Sequence, residues 1–163
     1  MGVRVRTVAF VEESHVMADW LEAPKTVLNW SGLAARANHV GHLVGVGELA
    51  EADTGITIPG LTLQVEVKAP RDVARCLFLF TIFQLKGGVR LRAYQLEVAP
   101  SNKRTHNDVA GAVYGPHEHL GEDVTAIRHE DVNCDNWMGS LQWFFDRTGI
   151  EPFDIPDPNC HGL

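Results

Sequence analysis

Three of the eight histidines fall within fourteen residues, at His106, His117 and His119. They sit in a segment that reads Thr105-His106-Asn107-Asp108 and then Gly115-Pro116-His117-Glu118-His119-Leu120-Gly121-Glu122-Asp123. Neutral imidazole is a metal ligand, and histidine is the side chain whose unperturbed pKa lies nearest neutrality. If His117 and His119 lie on an extended stretch, the period of two puts both on one face. Two such rings, joined by a third from a neighbouring segment, could hold zinc, iron or manganese. The same rings could act without metal as a general acid and base. An exposed loop with solvated histidines is the plain alternative.

Charge is spread unevenly around this segment. The whole chain carries a formal −7, which runs against a general nucleic-acid coat. Yet residues 86 to 104 hold Lys86, Arg90, Arg92, Lys103 and Arg104 against a single acid, Glu97. An acidic protein with one basic stripe can still meet a phosphate locally. Arg90 and Arg92 share a face of any strand that carries them. For either arginine taken alone, a solvated strand face is the better explanation.

Other chemistry is poorly supported. Gly41, Gly45 and Gly47 form no phosphate loop, and no serine sits in a nucleophile elbow. His39 and His42 flank Gly41 at a turn, and His129 stands where it could cap a helix. Gly111, His117-Glu-His119 and Asp123 resemble the first cupin motif, but the second glycine-proline-histidine motif is missing downstream. Cys76, Cys134 and Cys160 are odd in number and show no CxxC spacing. Cys76 reads as a buried small hydrophobe, whereas Cys134 and Cys160 sit in polar surroundings and a pairing between them is open. A reduced, cytoplasmic setting is the expectation. The alternating N-terminus lacks a signal-peptide core, and no apolar run is long enough to span a bilayer.

These residues need a scaffold, and 163 residues with 45% hydrophobic content suit one domain. The expected fold class is α+β: an antiparallel meander of about four to six strands, packed by an N-terminal helix and a C-terminal helix. Residues 1–38 read as the helical part, with helices over 12–22 and 25–37. Residues 39–127 read as the sheet with its histidine loop, and 128–163 as a helix and extended tail. Leu61, Leu63, Val65 and Val67 alternate with polar residues as a half-buried strand. Leu77 to Leu85 is apolar on both faces, and so central. Lys86-Gly87-Gly88-Val89 predicts a tight hairpin. In the returning strand the apolar phase flips near Ala93-Tyr94, which predicts a bulge. Residues 99–123 read as loop, with a brief strand at 110–114, and 124–127 as a last strand. Trp137, Leu141, Phe144 and Phe145 share a helical face that Gly149 terminates.

The order of an arginine-bearing strand, His106-Asn107, Gly115-Pro116-His117-x-His119 and a closing helix resembles the TumE-like family of small bacterial proteins linked to toxin–antitoxin loci. The likeness spans roughly residues 75–150; the asparagine directly follows His106, rather than standing one residue later. That resemblance implies a toxin-like hydrolase acting on RNA. It makes His106, Asn107, His117 and His119 catalytic, with Arg92 beside them; the basic stripe adds Arg90 and Arg104 as further expected contacts to substrate. No cofactor is required by this reading; if a divalent transition metal is present, His106, His117 and His119 are its expected ligands. The expected partners are RNA or a cognate protein, and not a membrane. Two other classes stay open: a binding module (an antitoxin, immunity or phage-encoded inhibitor protein) and a histidine-loop metalloprotein.

Overall fold

The computed structural model describes residues 20–68, 75–108 and 111–158, with the backbone alone over 104–108 and at 111. Ten strands appear among these residues: β1 Lys25–Leu28, β2 Ala34–Ala35, β3 His42–Glu51, β4 Thr57–Lys68, β5 Leu77–Lys86, β6 Val89–Val98, β7 Arg104–Asp108, β8 Gly111–Tyr114, β9 His117–Leu120 and β10 Asp123–Ala126. One helix of any length follows them, α1 Trp137–Thr148. The main sheet has the order β1-β3-β4-β5-β6-β9-β10, with β2 also on β3, and every pairing is antiparallel. β7 and β8 form a separate two-stranded sheet.

The expected α+β class is therefore corrected to a mostly antiparallel β protein with one C-terminal helix. The helix expected over 25–37 is two short strands on β3. Its apolar residues follow helical spacing, but Val27 and Leu28 pair with Leu49 and Glu48 instead. Asn29 (φ 54°) and Gly32 (φ 77°) break any helix between them. Trp30 lies against β3 where Gly45 and Gly47 stand; a Cβ on Gly45 would fall within 2.6 Å of its ring. Those glycines make room for an aromatic side chain. The helix expected over 12–22 lies outside the described residues up to position 19, and only Trp20 and Leu21 are seen as helical.

Two faces of the main sheet have different chemistry. Leu63, Val65, Val67, Phe78, Phe80, Ile82, Tyr94 and Leu96 are fully buried on one of them. α1 covers that face: Phe144 stacks on Phe80 at 5.2 Å, and Trp137 meets Phe78 edge-on at 5.1 Å. Asn136 caps the helix by accepting from the Gly139 amide at 2.8 Å, and Gly149 closes it in the left-handed region. The other face carries Gln64, Glu66, Thr81, Arg90, Arg92, Gln95 and Glu97.

Two fastenings hold the sheet to the C-terminal segment. The Lys25 ammonium, 1% exposed, donates to the carbonyls of Leu21, Ala23 and Thr148, each at 2.7 Å. The Trp20 ring lies 4.6 Å away. A cation at the helix C-terminus is favoured by the dipole. Burial works the other way and pushes its pKa down to about 7. Cys76 and Cys134 form a disulfide, with Cα atoms 6.2 Å apart. Cys76 is thus not a lone hydrophobe, and Cys134 pairs with it rather than with Cys160, which lies outside the described residues. Such a bond is usual for chains that meet an oxidising environment. Among the described residues no helix is long and apolar enough to cross a membrane.

Reducing the disulfide, whose cysteines are 58 residues apart, should cost about 4 kcal/mol of stability by the loop-closure relation. Urea unfolding with and without reductant checks this. Lys25 sets a pH dependence. Its folded pKa of about 7 lies below the unfolded value of about 10.4, so between them the unfolded chain binds more protons. Stability should therefore rise with pH through that window. The stability advantage over Lys25→Met should grow from pH 7 to 10; a constant difference would show that the carbonyls keep the ammonium charged.

Candidate functional site

The site is assembled on the face of the sheet away from α1, and the β6 bulge makes this possible. Ile82 pairs with Tyr94 but Phe83 pairs with Arg92, so Ala93 is an extra residue. A bulge shifts the alternation by one. Even-numbered Arg90 and Arg92 consequently share a face with odd-numbered Gln95 and Glu97. On an unbroken strand they would point to opposite sides. β9 then pairs with β6, placing His119 opposite Gln95 and His117 opposite Glu97. The two histidines point to the same face, as the period of two requires.

The segment expected to be a loop is two consecutive hairpins. Gly115 begins the turn into β9 with φ 68°, and a Cβ there would fall 2.9 Å from the Ser101 backbone. That position needs glycine for both reasons. Gly121, at φ 58°, turns β9 back into β10.

Three side chains converge. Nε2 of His117 lies 2.9 Å from Oε2 of Glu97 and 3.1 Å from Nε2 of His119. Nδ1 of His117 lies 2.9 Å from the Gly115 carbonyl. A carbonyl only accepts, so Nδ1 carries a proton. Nε2 of His117 faces a carboxylate and a second imidazole. Three lone pairs cannot meet there without repulsion, so at least one of these atoms carries a hydrogen. The rings are 0% and 2% exposed, whereas the Glu97 side chain keeps 18% exposure. The carboxylate is the part of the trio that reaches solvent.

The neighbouring positions are also tied down. Gln95 donates to the Thr81 hydroxyl at 2.8 Å and accepts from Arg92 at 3.1 Å. This buried link aims the Arg92 guanidinium along the same face. Burial lowers the pKa of Arg92, and Glu97 acts in the opposite sense. Arg90 lies over the Phe83 ring at 3.7 Å and donates to Gln64. Behind β9, on the core side, Glu118 accepts from the Tyr94 hydroxyl at 2.9 Å and from Arg147 of α1 at 3.0 Å. Burial, then Glu118, pushes the Tyr94 phenol well up. Burial opposes the charge of Arg147, but Glu118, with Tyr94 and Glu22, more than offsets it and its pKa is raised. The helix thus holds β9 from behind while His117 and His119 face forward.

Of the residues expected in the site, His117, His119, Arg90 and Arg92 share this face. His106, Asn107 and Arg104 have their backbones in β7, paired with Val113, Ala112 and Tyr114 of β8; their side chains lie outside the described residues. Glu97, Gln95 and Thr81 went unread as site residues. Glu97 stood out in the sequence only as the one acid in a basic stretch. Among the described residues, no three His, Cys, Asp or Glu side chains are grouped so as to hold a metal ion. His42, beyond β4, lies 3.2 Å from Glu66 without hydrogen-bond alignment. Burial, then Lys68, lowers its pKa. His129 accepts from the Asp131 amide at 3.2 Å.

Comparison with protein-family models, with curated proteins and with solved structures gives no match.

The tautomer is directly measurable. Long-range 1H–15N spectra should show His117 protonated at Nδ1, and Glu97→Gln should preserve that proton while shifting the Nε2 resonances of both rings. An unprotonated Nδ1 would contradict the arrangement.

Proposed function

We propose that this protein is a small toxin-like hydrolase that cleaves RNA through an acid–base cluster of Glu97, His117 and His119. One observation carries the reading: a carboxylate and a second imidazole lie 2.9 and 3.1 Å from Nε2 of His117, on a sheet face that also presents two arginines. The resemblance of residues 75–150 to TumE-like proteins points the same way, and it adds His106 and Asn107 as candidate companions.

RNA can be cleaved without water as the nucleophile. Glu97, the partly exposed member, accepts the proton of a ribose 2′-hydroxyl. The 2′ oxygen attacks the adjacent phosphorus, and the bond from phosphorus to the 5′ oxygen breaks. Glu97, through which the buried histidine pair relays, returns one proton to that leaving oxygen. The products are a 2′,3′-cyclic phosphate and a 5′-hydroxyl, and the cluster ends with the protons it began with. Positioned proton transfer of this kind is worth roughly 10²–10⁴-fold in rate. Arg92, held by Gln95, stands where it can offset charge growing on the phosphorane oxygens. Water is kept from the rings by their burial.

Purified protein should convert single-stranded RNA to fragments ending in 2′,3′-cyclic phosphate, with the rate unchanged by EDTA. His117→Ala should lower it by about 100-fold or more, and so should Glu97→Gln, which leaves the buried rings in place. High expression should arrest growth, and both substitutions should relieve it. Intact RNA and normal growth at high expression would overturn the proposal, and loss of cleavage in EDTA would transfer the site to metal chemistry.

A further inference from the structure

The arrangement beside the cluster says more about what would lie on it. Arg90 and Arg92 are exposed on the site face of β6. They are not equivalent. Arg92 is aimed by the Thr81–Gln95 link and offers a directed charge. Arg90 is laid over the half-buried Phe83 ring at 3.7 Å and held at its edge by Gln64. A guanidinium fixed over an aromatic ring is a planar cation, and its outer surface can stack a nucleobase.

The spacing is informative. Thr81 is opposite Gln95, which is opposite His119, and Phe83 is opposite Arg92. Thr81 and Phe83 are two residues apart on β5, which is about 7 Å along a strand. The Arg90–Phe83 platform and the Arg92 charge therefore lie one such step from the level of His119. One step of an extended single strand covers a similar distance. A duplex would keep its bases stacked inside and offer none to the platform.

We infer that the Phe83–Arg90 platform and Arg92 form a subsite for single-stranded RNA, the platform stacking a base next to the phosphate that Arg92 contacts. This rests on the acid–base reading for the identity of the substrate, but binding can be read without cleavage. The formal −7 of the chain makes the contact local, since two arginines on one strand supply it.

The test uses a fluorescein-labelled 2′-O-methyl hexanucleotide, which has no free 2′-hydroxyl and cannot be cut, with binding followed by anisotropy. The full-length protein should bind it more tightly than a duplex of the same sequence. Phe83→Ala should weaken binding by about fivefold or more, as loss of one stacked base does. Arg90→Lys keeps the charge but not the plane, so affinity should fall while the salt dependence stays the same. Arg92→Gln should make the log–log salt slope shallower by about 0.7, as expected for one phosphate contact to a single strand. Equal binding of the duplex, no binding of the hexanucleotide, or unchanged affinity in both Phe83→Ala and Arg90→Lys would overturn the inference. Intact hexanucleotide binding without any RNA cleavage would instead remove the acid–base reading and leave the subsite standing.

Discussion

The pairing of β9 with β6 is the contact on which the rest of the site depends. It places His117 against Glu97 and His119 against Gln95, so a carboxylate that is remote in sequence becomes the nearest acid to a buried imidazole. A slip of one residue would turn both histidines to the core, where Glu118 now meets Tyr94 and Arg147. Register is held from both sides. On the core side, the Glu118–Arg147 pair and the Tyr94 hydroxyl tie β9 to α1 and β6. On the site side, the Gly115 carbonyl orients the His117 ring.

The bulge at Ala93 is the second requirement. An uninterrupted β6 would bury either the arginines or Gln95 and Glu97 beneath the helix, at a desolvation cost that an unpaired charge rarely meets. One extra residue resolves the conflict. It lets Tyr94, Leu96 and Val98 fill the core while Arg90, Arg92, Gln95 and Glu97 line the opposite face. Cationic, amide, carboxylate and imidazole groups then lie in neighbouring positions across β6 and β9.

The core has its own logic, separate from this chemistry. The aromatic contacts between α1 and β5, the buried Lys25 beneath the helix C-terminus and the Cys76–Cys134 bond fix the helix to one face of the sheet. That leaves the other face available to polar residues. A sheet with one apolar and one polar face is usual for antiparallel architecture, and here the polar face is tied into hydrogen-bonded links rather than left to solvent.

Much of this was legible in the residues alone. The central β5 strand follows from an apolar run, the hairpin from Gly87-Gly88, the bulge from the phase flip at Ala93-Tyr94, and α1 from its aromatic face and Gly149. Each is a local pattern of period, turn chemistry or capping. The common face of His117 and His119 is local too. The region of residues 25–37 was misread because its apolar spacing suits a helix, whereas the pairing partner that makes it extended, β3, is supplied by the tertiary fold. Glu97 could not be found by spacing, since it stands twenty residues before His117 and meets it only across a ladder. The disulfide partner of Cys134 was hidden for the same reason. The sequence by itself determined which stretches alternate, turn and coil, because those depend on neighbours along the chain. Only the tertiary structure decided which carboxylate, arginine and imidazole meet, because that depends on strand order and register.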